Sequence, residues 1–284
     1  MHEYLQISAL ISDAAEQLRC VSESPRLDAE LLLARALDVP RSYLFAHPED
    51  EPDRAAAKRF GASVARRLDG VPLAYITGEK EFWSMTLMVS PATLVPRPES
   101  EVLVEHALRH IPDREEFQVL DLGTGSGAIA LAIAKERFHC QVTATDSSTE
   151  ALAVAQQNAR QLGLSNTTFL HGDWFAPVQR RTFDLIVTNP PYVPDADPDL
   201  KSLKHEPLTA LASGVDGLDA IRQIARGGWQ VLREGHYLLL EHGDKQQDDV
   251  ARVLQQSGWH EIACYKDLAG LPRVTMARRR RSER

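Results

Sequence analysis

Hydropathy along the chain predicts an α/β protein: a mostly parallel sheet with helices on both faces, preceded by a small all-helical domain. Three observations carry this reading. From residue 117 onward, apolar runs of strand length alternate with longer stretches of helical period, the order that builds a parallel sheet with covering helices. The run Phe183-Asp184-Leu185-Ile186-Val187-Thr188 is nearly continuous in apolar residues, which suits a strand buried on both faces. Ahead of this region, residues 1–75 hold helical patterns and no strand pattern.

Each element follows from its own signal. Ile7, Leu10, Ile11, Ala14 and Leu18 share one face at a spacing near 3.6, which predicts a first helix. Ser24-Pro25 reads as an N-cap with proline at the first helical position, followed by the stripe Leu27, Leu31, Leu32, Ala34, Leu37. A third helix is expected over 52–68. Phe82, Ser84, Thr86 and Met88 alternate with Trp83, Met85, Leu87 and Val89, a period of two that predicts a strand or hairpin. Pro91, Pro96 and Pro98 then break the chain before a helix over 99–110. The α/β part predicts strands at 118–122, 141–145, 167–170, 183–188, 237–241, 262–265 and 273–277. Its helices fall at 128–135, 148–162, 218–232 and 246–257. The domain division is a helical bundle at 1–75, a hairpin and linker at 76–98, and an α/β domain at 99–284. Ligands of such sheets bind outside the carboxyl ends of the strands, where the strand order reverses.

The bulk numbers exclude several classes. With 284 residues and 43% hydrophobic content the chain can bury a large core. No stretch of eighteen apolar residues occurs, so no spanning helix is expected. Met1-His2-Glu3-Tyr4 lacks the basic-then-apolar pattern of a signal peptide, and Cys20, Cys140 and Cys264 lie far apart with no metal-binding spacing. These features predict a cytoplasmic protein with reduced thiols and no metal. Net charge is −8, with 10 Lys and Arg against 14 Asp and Glu in the first 86 residues. That balance opposes a protein whose affinity rests on a polyanionic backbone. The one basic cluster, Arg278-Arg279-Arg280-Arg281, reads as a solvated tail.

Four motifs sit at successive strand ends. Asp121-Leu122-Gly123-Thr124-Gly125-Ser126-Gly127 closes the first strand and opens a helix. Its glycines permit positive φ and close approach of a ligand, and the helix start offers free N–H groups. Read with Ala128 it also fits a dinucleotide fingerprint, although Asp121 is a poor neighbour for a pyrophosphate; a purely structural turn is the plainer alternative. Asp146 ends the next strand, where a carboxylate accepts from two ribose hydroxyls; alternatively Asp146, Ser147 or Ser148 caps the following helix. Gly172-Asp173-Trp174-Phe175 ends the third: Asp173 suits an adenine amino group and Trp174 a stacked base, unless Trp174 belongs to the core.

Asn189-Pro190-Pro191-Tyr192 ends the fourth. Its two prolines remove two N–H donors and stiffen the turn. What is left is carbonyl acceptors, the Asn189 side-chain amide and an aromatic ring. Such a corner suits a planar –NH2 guest, or it is simply a proline turn.

Taken together, these residues resemble the Rossmann-like S-adenosylmethionine-dependent methyltransferases that act on amino groups. The chain is similar over nearly its whole length to the HemK/PrmC family, the peptide chain release factor N5-glutamine methyltransferases. The likeness runs through Leu27-Asp28-Ala29-Glu30, residues 78–83, Val89 to Glu99 with its Pro96-Arg97-Pro98-Glu99, the four motifs above, Glu206-Pro207-Leu208-Thr209-Ala210-Leu211 and Leu240-Glu241-His242-Gly243. The resemblance implies that Gly123, Thr124, Gly125, Ser126, Gly127, Asp146, Trp174 and Asn189 contact S-adenosyl-L-methionine. It implies that Asn189, Pro190, Pro191 and Tyr192 hold the substrate glutamine, with Asn189, Pro190 and Tyr192 catalytic. It also implies a class I release factor as partner, docked with help from the helical domain.

The rival activities are glutamine methylation of a ribosomal protein and amino-group methylation of adenine N6 or guanine N2. The acidic charge and the lack of a basic recognition region oppose the nucleic-acid reading. Pro96-Arg97-Pro98-Glu99 opposes the ribosomal-protein reading, because that sister family usually differs there. A nicotinamide dehydrogenase lacks a recognisable hydride-site acid or base, and a fold that has lost its chemistry would not keep four intact motifs.

Overall fold

The computed structural model describes residues 6–280; the Met1–Tyr4 reading and Arg281 of the basic cluster lie outside the described residues. The chain divides into two compact units, Met1–Glu79 and Lys80–Arg284.

The first unit is helical: α1 (Ile7–Leu18), α2 (Pro25–Leu37), α3 (Arg41–Ala46), α4 (Arg54–Leu68) and α5 (Leu73–Thr77). Ile7, Ile11, Ala14 and Leu18 of α1 are buried as their spacing requires. The predicted stripe of α2 is rotated. Leu27 is exposed, while Asp28, Ala29, Glu30, Leu32 and Leu33 are buried. Two carboxylates are held inside by arginines: Arg67 Nε donates to Asp28 at 2.8 Å, and Arg41 to Glu30 at 2.6–2.8 Å. Buried charges persist only when paired in this way, and a one-residue pattern count cannot see their distant partners. Ser24 occupies the N-cap position before Pro25, but its side chain makes no capping bond. The short α3 carries too few turns to show a period, and sequence reading missed it.

The second unit opens with a ribbon of β1 (Glu79–Phe82) and β2 (Met85–Met88). Trp83 and Ser84 make its turn, both at φ near +50°, the geometry that matches the twist of a two-residue hairpin. A 3-10 turn (Pro98–Ser100) leads into α6 (Glu101–Leu108). Then follow β3 (Phe117–Leu122), α7 (Ala128–Glu136), β4 (Cys140–Asp146), α8 (Thr149–Gln161), β5 (Thr167–His171) and β6 (Phe183–Thr188). The chain ends with α9 (Asp219–Val231), β7 (Leu232–Glu241), α10 (Gln247–Gln256), β8 (His260–Lys266) and β9 (Pro272–Arg278).

The seven strands run in the order β5-β4-β3-β6-β7-β9-β8. The first five are parallel and β9 is antiparallel to both its neighbours. Alternate residues feed opposite faces, as the period of two demands. Val119, Leu185, Val187 and Leu239 join α6 and α7 in one core. Leu120, Leu122, Ile186, Leu238 and Leu240 join α9 and α10 in the other. All six residues of β6 are buried, including Asp184, which accepts from the Gln118 N–H at 2.9 Å and pairs with Arg233. β7 begins five residues before the predicted strand, at Leu232, which pairs with Phe183; its register with β6 then shifts before Tyr237 pairs with Leu185. No helix among the described residues is long and apolar enough to cross a membrane.

Candidate active site

The chain enters the sheet at β3, moves outward to β4 and β5, and then returns to β6 on the other side of β3. This reversal opens a crevice at the carboxyl ends of β3 and β6. Register brings the motifs to one level. Leu122 pairs with Thr145 on one side and Thr188 on the other, so Gly123, Asp146 and Asn189 leave the sheet side by side. The resulting cleft is lined by residues from all four motif-bearing strand ends, among them Gly123, Asp146, Asp173 and Asn189.

The glycine turn is held by backbone. Thr145 O accepts from the N–H groups of Gly123 (2.9 Å) and Thr124 (3.0 Å). Gly125 donates its N–H to Asp146 Oδ2 at 2.8 Å. Gly125 has φ +56° and open space where a Cβ would stand, so a ligand can approach its backbone closely. Gly127 has φ +85° and would bring a Cβ to 3.0 Å from Leu131; its role is packing under the turn. Asn158 of α8 reaches across to donate to Ser126 O at 2.9 Å and also brackets Met88.

Asp121 lies beneath the turn, fully buried. Thr124 Oγ1 donates to its Oδ2 at 2.6 Å, while Oδ1 has no protein partner. Burial, above all, pushes its carboxyl up to about 7; the nearby charge of Asp146 adds to the rise and the Thr124 hydroxyl opposes it. Asp146 is not the cap of α8. Ser148 is, its Oγ accepting from the Ala151 N–H at 3.0 Å. Asp146 instead accepts from Gly125 and from the Ser148 N–H (2.9 Å) and lines the cleft. Trp174 combines the two readings made of it. It touches the core cluster around α9 and also lines the cleft, its ring 3.7 Å from the Cβ position of Gly123. Asp173 is exposed on the same wall.

At the β6 end the support comes from side chains. Asn189 Nδ2 donates to Ser100 Oγ at 3.0 Å, and Ser100 Oγ donates to Glu241 Oε2 at 2.6 Å. Tyr192 donates its hydroxyl to Glu241 Oε1 at 3.3 Å. Glu241 is buried at the end of β7, and desolvation lifts its carboxyl to about 7 against the pull of Ser100 and Arg273. Burial and the Glu241 charge also raise the Tyr192 phenol. Asn189 and Pro191 line the cleft, whereas Pro190 is buried and Tyr192 turns toward Glu241; neither is on the wall.

The facing wall is Thr93, Leu94, Pro96 and Arg97 with Pro207, Thr209 and Ala210. Buried Glu206 pins these two segments, accepting from the Val95 N–H (3.0 Å) and from Arg97 (2.5 Å).

Gly123, Thr124, Gly125, Ser126, Asp146, Trp174, Asn189 and Pro191 therefore share one cleft wall system. The polar residues that brace it, Ser100, Asn158, Glu206 and Glu241, were not assigned roles from sequence. Only Glu241 carried a local signal: a carboxylate ending an apolar strand at the ligand-binding edge. No group of three or more His, Cys, Asp or Glu among the described residues could hold a metal ion.

Residues 9–78 match the PrmC N-terminal domain family, and residues 99–206 match the methyltransferase small domain family. The release factor glutamine methyltransferase of Coxiella burnetii is 49% identical over 275 residues, covering 97% of this chain and 99% of that protein. The Escherichia coli release factor glutamine methyltransferase is 41% identical over 270 residues, covering 94% and 97%. Among solved structures, a methyltransferase from Pyrococcus furiosus superposes with a TM-score of 0.53 at 21% identity, covering 76% of this chain and 98% of that one, a likeness of fold. A parallel sheet with a glycine turn and an acceptor corner at its switch point, and near full-length identity above 40% to these relatives, lead to one conclusion: the chain belongs to the release factor glutamine methyltransferase family.

Proposed function

We propose that this protein transfers a methyl group from S-adenosyl-L-methionine to the side-chain amide nitrogen of the glutamine in the Gly-Gly-Gln loop of class I release factors. The observation that carries the reading is the adjacency of the glycine turn, Asp146 and Asn189 at one level of the sheet. It supports a nucleoside-type site directly beside an acceptor for an –NH2 group.

The residues present fit the cofactor. Gly125 leaves backbone open to the cleft, Asp146 offers carboxylate lone pairs toward ribose hydroxyls, and Trp174 offers a ring face on the same wall. The unpartnered Oδ1 of Asp121 is a buried polar atom beneath the same glycine turn. When bound, S-adenosylmethionine provides an electrophilic methyl on a positive sulfur.

The chain's own task is orientation. A glutamine amide is a weak nucleophile because its lone pair is delocalised into the carbonyl. Asn189 Oδ1, on a residue of the corner that lines the cleft, accepts one N–H of that amide, which aims the lone pair at the methyl. Orientation of this kind contributes up to roughly 7–11 kcal/mol. No general base is needed beforehand, since the methylated nitrogen is acidic enough to lose its proton afterward. Tyr192 contributes from behind the corner, through Glu241.

In this reading residues 1–75 help to dock the release factor, 76–98 form a hairpin and linker that also gives the cleft one wall, and 99–284 carry the rest of the chemistry in the cytoplasm. Methyl-labelled S-adenosylmethionine incubated with purified release factor, ribosomal protein and RNA in parallel tests the substrate. Label in release factor alone is expected; label in RNA or ribosomal protein refutes the assignment.

A further inference from the structure

An asparagine can clamp an –NH2 guest only if its oxygen, not its nitrogen, faces the guest. The two ends of an amide are nearly the same size, so something must choose between them. Among the described residues Asn189 has one side-chain partner, Ser100 Oγ, and its Oδ1 has none. Ser100 has a single proton, and that proton points to Glu241 at 2.6 Å. The hydroxyl oxygen can then only accept, so the Asn189 atom beside it must be the donor Nδ2.

Resting on the clamp reading above, we propose that Ser100 and Glu241 are positioning residues. Ionised Glu241 draws the Ser100 proton and thereby fixes the Asn189 amide with its oxygen toward the substrate. Tyr192 completes the arrangement by donating to the other carboxylate oxygen at 3.3 Å. Ser100 sits in the turn before α6 and Glu241 at the end of β7, 141 residues apart, and only the fold joins them.

The direction of the chain of hydrogen bonds is reversible. A protonated Glu241 can donate to Ser100 Oγ. Ser100 would then donate to Asn189 and select the flipped amide, which repels an –NH2 guest. The charged and titratable groups facing Glu241 are Tyr192, Arg273 on β9 and Glu99 in the turn before α6. Glu241 titrates near 7, chiefly because it is buried, so the reversal falls within the working range of pH.

The test measures kcat, cofactor affinity by calorimetry, and affinity for a glutamine-loop peptide. Ser100→Ala removes the selector. It should lower kcat by about 10- to 100-fold, the cost of misplacing a reacting group, and weaken peptide binding, while the S-adenosylmethionine Kd changes less than about twofold. Ser100→Thr keeps the hydroxyl and should recover most of the loss. In the parent protein kcat should rise about tenfold from pH 6 to pH 8, as one carboxyl near 7 ionises. In Glu241→Gln that ratio should fall toward one. An unchanged kcat in Ser100→Ala, or a tenfold ratio persisting in Glu241→Gln, overturns the proposal. If Asn189→Ala loses activity while both of these results occur, the relay fails and the clamp stands. If Asn189→Ala keeps full activity, the clamp itself has failed.

Discussion

The two halves of the cleft are built from different materials. The half around Gly123 to Gly127 is held mainly through its own backbone N–H groups: two bonds to Thr145 O and one to the Asp146 carboxylate, both on the adjacent strand. The half around Asn189 is held by side chains from remote segments, Ser100 at 89 residues and Glu206 to Arg97 across 109. Backbone support depends on glycines at fixed spacing and tolerates little variation in the loop itself. Side-chain support lets the acceptor corner be tuned without touching the cofactor's turn. The halves should therefore fail independently when mutated.

Asn189→Ala is expected to have the largest effect. It removes the acceptor, and kcat should drop about 10²–10³-fold, the scale for losing one preorganised hydrogen-bonding group. Calorimetry should find the S-adenosylmethionine Kd within about twofold of the parent. Loss of both properties together would break the division between the halves.

Asp146→Ala strikes the other half. It removes a charged acceptor and the partner of the Gly125 N–H, so the cofactor Kd should rise about 10- to 100-fold, from about 1.5–3 kcal/mol per charged hydrogen bond. An unchanged Kd would remove Asp146 from the ribose site.

Glu206→Ala should act on the wall. It strips the buried Val95 N–H of its acceptor, an expected loss of about 1–3 kcal/mol in urea unfolding. The Arg97 ion pair adds little to that, because 36% of the arginine side chain is exposed. The KM for release factor should rise more than the cofactor Kd; the opposite order would place Glu206 with the cofactor half.

The smallest effect concerns stability and pH. Asp121 holds its proton in the folded state up to about 7, well above its usual range. The folded protein thus binds more protons than the unfolded chain between about pH 4 and 7, and stability falls as pH rises through that window. Asp121→Asn still accepts from Thr124 but does not ionise. Its melting temperature relative to the parent should climb from pH 5 to pH 8. A constant difference would mean that Asp121 is not desolvated as described.

The same contrast explains what could be read from the sequence. Strands β3 to β6 and the order of their terminal motifs were legible because each signal is local: an apolar run, then glycines, an acid or two prolines. The sequence offers Asp146, Ser147 and Ser148 as caps beside a cleft role for Asp146, and the structure divides the tasks between Ser148, which caps, and Asp146, which lines the cleft. The rotated face of α2 was not legible, since Asp28 and Glu30 are paired inside by arginines that include Arg67 and Arg41, outside that helix. The early start of β7 rests on the pairing of Leu232 with Phe183 of β6, a partner that lies outside β7's own sequence. Ser100 was hidden for the same reason: its partners Asn189 and Glu241 lie 89 and 141 residues away.

The central claim is that the acceptor corner at the end of β6 presents a glutamine amide to the cofactor's methyl. Fragmentation mass spectrometry of release factor after incubation with the protein and S-adenosylmethionine tests it most directly. The account predicts one added methyl on the side-chain nitrogen of the glutamine in the Gly-Gly-Gln loop, absent with Asn189→Ala. A methyl on any other residue, or undiminished methylation by Asn189→Ala, would contradict it.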